Sequence, residues 1–175
     1  MKTIVIYKSL SGFTKKYAEW IAEETKADLF DVKDISLNLL KKYDCIVFGW
    51  WLHAATISGL GKIKKNLLTL QNKHLIVFAT GAWPDRPNVL DEVKKTNFTK
   101  EQEKKIRFYY LRGWFDFWKL PFGYKILMTV FKWMIASKKN KTPDEKGMLA
   151  SYDHPADFTK KEYIKDMVSY IHSLK

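Results

Sequence analysis

Six residues near the amino terminus, Ser9-Leu10-Ser11-Gly12-Phe13-Thr14, have the residue types and spacing of a phosphate cradle. The hydroxyls of Ser9, Ser11 and Thr14 can each donate a hydrogen bond, and Gly12 lets the backbone curl without a Cβ clash. The apolar run at residues 3–7 reads as a strand, and the pattern over 15–25 as a helix. A loop in that place lies on a helix start, whose amides lack intrahelical partners and carry the positive end of the helix dipole. Neither the G-x-x-x-x-G-K-[ST] of a triphosphate loop nor the G-x-G-x-x-G of a dinucleotide site is present. With no lysine or arginine between Ser9 and Thr14 the cradle is neutral, and it suits one terminal phosphate better than a magnesium triphosphate. On these residues alone, an ordinary turn rich in small polar residues is an equal reading.

Other reactive residue types are scattered. His74, His154 and His172 lie apart without ligand spacing, and neither a zinc site nor a hydrolytic triad stands out. The single cysteine, Cys45, sits inside an apolar run and reads as a buried thiol. The formal charge is +12, yet only Arg86, Arg107 and Arg112 are arginines, which argues against sequence-specific nucleic-acid reading. The charge is uneven. Residues 113–142 hold six lysines and one acid, whereas residues 143–175 hold five lysines and six acids.

The elements that must position the loop alternate along 175 residues, which predicts one domain over residues 1–175. Strands are predicted at 3–7, 27–32, 45–49, 74–80 and 106–111. Between them the pattern predicts a helix over 15–25, with Tyr17, Ala18, Trp20, Ile21 and Ala22 at helical spacing, and another over 60–70. Residues 99–105 read as a helix end with Thr99 as a cap, and 159–174 as the last helix, with Thr159 and Glu162 in capping-box register. Five strands separated by helices predict an α/β fold, a doubly wound parallel sheet with helices on both faces. Ligands of such sheets bind at the carboxyl ends of the strands, where residues 8–14, 50–58 and 80–88 form three loops.

These parts resemble a flavodoxin-like domain, a three-layer sandwich around a five-stranded parallel sheet. The run Ser9 to Thr14 is similar to that family's [ST]-x-[ST]-G-x-T loop for the phosphate of flavin mononucleotide (FMN). Gly49-Trp50-Trp51-Leu52-His53-Ala54-Ala55 falls where the family has its second flavin loop, and Thr80-Gly81-Ala82-Trp83 where it has the third. The resemblance implies noncovalent FMN, its phosphate held by Ser9, Leu10, Ser11, Gly12, Phe13 and Thr14. It implies a ring clasped by Trp50, Trp51, Leu52, His53 and Ala54 on one side and by Thr80, Gly81, Ala82 and Trp83 on the other. His53 could donate to the flavin or titrate near neutral pH, although a loop histidine more commonly faces solvent. Two features depart from the family. Alanines stand at 54 and 55, where a flipping peptide is expected, and the net charge is basic rather than acidic. Both point to a potential near that of free FMN. From Ile106 onward the pattern resembles the branch containing menaquinone-dependent protoporphyrinogen oxidases, which work at the bacterial inner membrane.

Residues 114–139 interleave Trp114, Phe115, Phe117, Trp118, Phe122, Tyr124, Phe131 and Trp133 with Lys119, Lys125, Lys132, Lys138 and Lys139. Six apolar-side residues between Lys125 and Lys132 are far short of the ~20 that span a bilayer. Three roles are open for this segment: burial against the sheet, an interfacial helix on anionic lipid, or a partner surface. The favoured function is an FMN-dependent oxidoreductase, protoporphyrinogen-oxidase-like and passing electrons to a quinone or another redox partner. The alternatives are an electron carrier without its own substrate, and a lipid- or polyanion-binding module that has lost the flavin. A chain that enters a strand directly, without a leader, is expected in the cytoplasm, with a peripheral place on the inner membrane face if 114–139 binds lipid.

Overall fold

The computed structural model describes residues 1–53, 56–57, 70, 72–81, 87–114, 116–153 and 157–174. Strands β1 (Thr3–Lys8), β2 (Asp28–Asp31), β3 (Cys45–His53), β5 (His74–Gly81) and β6 (Ile106–Arg112) form a parallel sheet in the order β2-β1-β3-β5-β6. A short strand, β4 (Thr56–Ile57), runs antiparallel to the end of β3. Helices α1 (Phe13–Thr25) and α7 (Lys165–Ser173) cover one face through Tyr17, Ala18, Ile21, Met167 and Ile171. The other face is covered by α2 (Leu37–Leu40) and α3 (Pro87–Asn97), through Leu40 and Val93. The fold is the α/β flavodoxin-like one, with a sixth strand added to the expected five.

The central strands are apolar on both sides because helices cover both faces. Leu75 to Ala79 are all at most 4% exposed. At Gly49 the sheet admits no side chain, since a Cβ there would fall inside the Phe78 ring. The chain runs from β1 outward to β2, then crosses back to β3 on the other side of β1. That reversal opens a crevice above the carboxyl ends of β1 and β3, next to the Ser9–Thr14 loop.

Three expectations need correction. The third strand continues to His53 instead of ending at Gly49, so Trp50 to His53 begin as strand and not as loop. The reason is alternation: Ile46, Phe48, Trp50 and Leu52 all turn to one core, and Trp51 pairs in register with Thr80. Thr99 caps the start of a separate helix, α4 (Lys100–Lys105), rather than a helix end. Its hydroxyl accepts from the Gln102 amide at 3.3 Å while the Gln102 side chain accepts from the Thr99 amide at 3.0 Å. The last helix begins at Lys165 after a 3₁₀ turn at Lys161–Ile164. Thr159 does not cap it, because its amide and hydroxyl both donate to Asp157 Oδ1. The aromatic-basic segment, whose role the sequence left open, lies over the carboxyl edge of the sheet and not on one of its faces. It forms a 3₁₀ turn (Phe117–Lys119) and then α5 (Phe122–Ala136), and it pairs with α6 (Pro143–Asp153), a helix whose mixed polar pattern gave no sequence signal. The helix expected over 60–70 lies outside the described residues apart from Leu70.

Candidate functional site

The loop after β1 is built around Gly12. Its φ of +98° is a conformation that L side chains rarely adopt, and open space surrounds its Cβ position. The Ser9 hydroxyl accepts from the Gly12 amide at 3.0 Å, which draws the loop into a ring over the start of α1. That helix has no side-chain cap and no acidic residue in its first turn. Its leading amides and the dipole end therefore remain available to an anion. Thr14 is committed differently. Its hydroxyl, 1% exposed, lies 2.6 Å from that of Thr80, and Thr80 in turn donates to the Trp50 carbonyl at 3.3 Å. A carbonyl only accepts, so the consistent order is Thr14 to Thr80 to Trp50, with the Thr14 proton used inside the protein.

Above this loop lies a cavity of about 540 Å³, within the ~300–1,000 Å³ of small-molecule sites. Its polar end is Ser11, Thr14 and Thr80; the rest is apolar and aromatic. Leu10, Phe13, Trp51, Leu52, Gly81, Tyr110 and Trp114 form the walls, and Leu120, Tyr124, Leu127, Met128, Phe131 and Met148 come from the α5–α6 side. The hairpin is thus a roof over the carboxyl edge of the sheet. Its rings reach the walls, with Trp51 and Tyr124 edge-on at 6.4 Å. The Tyr152 hydroxyl donates to the Met128 carbonyl at 2.7 Å and ties the two roof helices together. Burial pushes the Tyr152 phenol up to about 12, so it stays a donor across the physiological range.

Below the roof, Tyr17 joins three segments behind the phosphate loop. Its hydroxyl donates to the Arg112 carbonyl at 2.6 Å and accepts from the Lys160 amide at 3.3 Å. Burial raises its pKa far out of the working range. Lys16, one turn into α1, pairs with Asp157 at 2.6 Å and closes the same flank. Burial acts upward on the Asp157 carboxyl, but the bonds from Lys16 and Thr159 outweigh it and hold its pKa below the usual value. Lys8 puts its ammonium 5.4 Å from the centre of the Trp51 ring, beside the wall of the cavity.

Residues 4–142 match the flavodoxin domain family. The chain belongs to the flavodoxin domain family. An uncharacterized protein of Methanocaldococcus jannaschii is 30% identical over 113 residues, spanning 61% of this chain and 67% of that protein. Among solved structures, a flavodoxin from the domain Archaea is 20% identical, covering 63% of this chain and 85% of its own, with a TM-score of 0.40. Flavodoxin 1 from Bacillus cereus is 19% identical, covering 75% and 93%, with a TM-score of 0.47.

Within this flavodoxin domain, eight of the residues expected from the sequence converge on the cavity: Leu10, Ser11, Phe13, Thr14, Trp51, Leu52, Thr80 and Gly81. Ser9 and Gly12 shape the loop from behind. Trp50 does not reach the cavity; strand alternation turns its ring into the core at 0% exposure, 5.6 Å from Phe48. His53 pairs through its backbone with Thr56 at the end of β3. Ala54, Ala82 and Trp83 lie outside the described residues. The roof and Tyr110 were not expected as site residues. Their signal was the aromatic excess after Ile106, which sequence reasoning assigned to core or surface. The residues fit FMN: an anion-ready helix start with hydroxyls at one end, and flat aromatic walls at the other.

Proposed function

We propose that this flavodoxin domain is an FMN-dependent oxidoreductase whose roofed cavity admits a lipophilic substrate, with a quinone as electron acceptor. The observation that carries this reading is the α5–α6 roof, which supplies apolar side chains over the place where the ring is expected. Bound FMN supplies the hydride- and electron-transfer chemistry. The chain supplies the rest. Ser11 and the first amides of α1 hold the phosphate, and the Ser9–Gly12 bond keeps that loop in shape. Trp51, Tyr110 and Trp114 orient the ring, while Leu127, Met128 and Phe131 shield it from water and give a lipophilic substrate its contact surface. A protoporphyrinogen-type reductant would meet such a roof with the apolar face of its macrocycle and keep its two propionates toward solvent. A pure electron carrier gains nothing from a roof, because its partner must approach the ring edge.

The test has two parts. Purified protein reconstituted with FMN should oxidise protoporphyrinogen in the presence of a menaquinone analogue. A spectroelectrochemical titration should give a potential near that of free FMN, since a net charge of +12 favours the reduced anion. No turnover, together with two widely separated one-electron potentials, would replace the oxidase with a carrier. A colourless protein that fails to take up FMN would remove the flavin altogether.

A further inference from the structure

Helix α5 presents three stripes, and only two have partners. Tyr124, Leu127, Met128 and Phe131 face the cavity. Lys125, Thr129 and Lys132 lie on the flank toward α6, where Lys132 meets Asp153 at 3.4 Å. The third stripe is apolar and exposed: Phe122 at 79%, Ile126 at 53%, Val130 at 58% and Trp133 at 70%, with Trp118 at 67% beside its start. A helix with one hydrophobic face in use and a second one in water needs an occupant for the second.

We infer that this outer stripe of α5 seats on the surface of an anionic lipid bilayer, with the helix lying in the plane of the headgroups. Three observations select lipid over protein. Tryptophans stand near both ends of the stripe, the position that amphipathic rings take at a membrane interface. The flank carries lysines, and residues 113–142 hold six of them against one acid. Ion pairs among the described residues occupy Lys119, Lys132 and Lys138, with Asp116, Asp153 and Glu145; Lys141 donates to the Lys138 carbonyl at 2.6 Å, and Lys125 and Lys139 are left to meet lipid phosphate. The patch is also small. Seven exposed apolar side chains, with Met134 at 52% and Leu127 at 45% beside the stripe, are far fewer than the ~20–30 residues a side of a specific protein interface. No helix among the described residues is long and apolar enough to cross a membrane, so the contact is interfacial. Leu127 belongs to the cavity wall and is also 45% exposed, which sets the rim of the cavity beside the docked face.

Docking rests on the outer stripe of α5 and the Trp118 and lysine side chains beside it, not on the flavin assignment, so FMN-loaded and flavin-free protein are tested side by side. Each is mixed with vesicles of phosphatidylcholine and phosphatidylglycerol, or of phosphatidylcholine alone, and sedimented at low and high salt. Both forms should sediment with the anionic vesicles only, and salt should release them. Phe122→Ser combined with Trp133→Ser should lower partitioning about tenfold or more. Lys125→Gln and Lys139→Gln should each lower it roughly fivefold. All variants should keep the wild-type circular dichroism and FMN affinity, because none of these side chains lines the cavity. Trp118→Ser gives a second apolar variant outside α5, should the double variant misfold. The inference fails if wild type stays in solution with anionic vesicles at low salt. It fails equally if the serine variants bind as wild type does, or if the stripe instead supports a dimer that they dissociate.

Discussion

Replacing Thr14 with valine separates two roles that the phosphate-loop motif runs together. The hydroxyl lies 2.6 Å from Thr80 at a site 1% exposed, and its proton is directed to Thr80. Thr14→Val keeps the shape, removes that bond and leaves a buried Thr80 lone pair without its donor. A buried hydrogen bond contributes about 0.5–1.5 kcal/mol net, and an unsatisfied group raises the loss toward the ~1–3 kcal/mol range. The flavin-free protein should therefore lose about 1–2 kcal/mol, which for a chain of this size is about 3–6 °C in Tm. FMN affinity should change by less than about twofold, because the proton was never offered to the phosphate. Ser11→Ala is the contrast. It removes a partly exposed hydroxyl that lines the cavity without a buried partner, and a charge-assisted bond of ~1.5–3 kcal/mol corresponds to roughly tenfold to a hundredfold in Kd. Thermal melts of flavin-free protein and fluorescence titration with FMN read the two quantities separately. If Thr14→Val weakens FMN as much as Ser11→Ala and leaves the flavin-free melt unchanged, the Thr14 hydroxyl turns to the phosphate and the assigned network is wrong.

Riboflavin, which lacks the phosphate, should bind far more weakly than FMN; equal affinities in the same titration would remove the phosphate assignment. Asn97, 3% exposed, accepts from the Ile57 amide at 2.7 Å and donates to the Val93 carbonyl at 2.7 Å, so Asn97→Ala should cost about 1–3 kcal/mol in a urea melt and loosen the pairing of β4 with β3. Burial pushes the Cys45 thiol up to about 12, so a thiol reagent at pH 8 should label it only after denaturation, and fast labelling of native protein would contradict its place in the core. For Asp116, burial acts upward, but the Lys119 ammonium 3.0 Å away and the Trp118 and Lys119 amides outweigh it and depress the carboxyl. A depressed folded pKa gives stability that is present above the unfolded value near 3.9 and lost as pH falls through the folded one. Asp116→Asn should flatten that acid limb in pH-dependent melts.

The sheet was legible because its central strands are continuous apolar runs, a pattern that only a two-sided cover explains. The shape of the loop after β1 was legible too, since Gly12 takes the left-handed conformation that its place in a tight strand-to-helix turn suggests. The end of β3 was not. Trp50-Trp51-Leu52-His53 has no turn residue to stop the strand, yet the resemblance placed a loop there, and one ring of the tryptophan pair proved to be core. Nor was the α5–α6 roof, because helix periodicity shows which residues share a face and not what each face meets. On α5 the apolar residues nearly encircle the helix, so periodicity could not tell the cavity stripe from the outer one.

The roof is held together largely by contacts that begin and end within it. Met128 to Tyr152, Lys132 to Asp153, Lys138 to Glu145 and Phe117 to Tyr152 all fall within residues 117–153. The sheet beneath depends instead on continuous ladders between neighbouring strands, such as β5 with β6. A unit whose bonds are mostly its own can open while the sheet stays closed. Amide protons of α5 and α6 should exchange faster than those of β1, β3 and β5, on a timescale set by the hairpin lifting away. Loading of a ring ligand into the cavity should then proceed through that local opening, with an on-rate that follows the exchange rate of the roof amides rather than the unfolding rate of the chain.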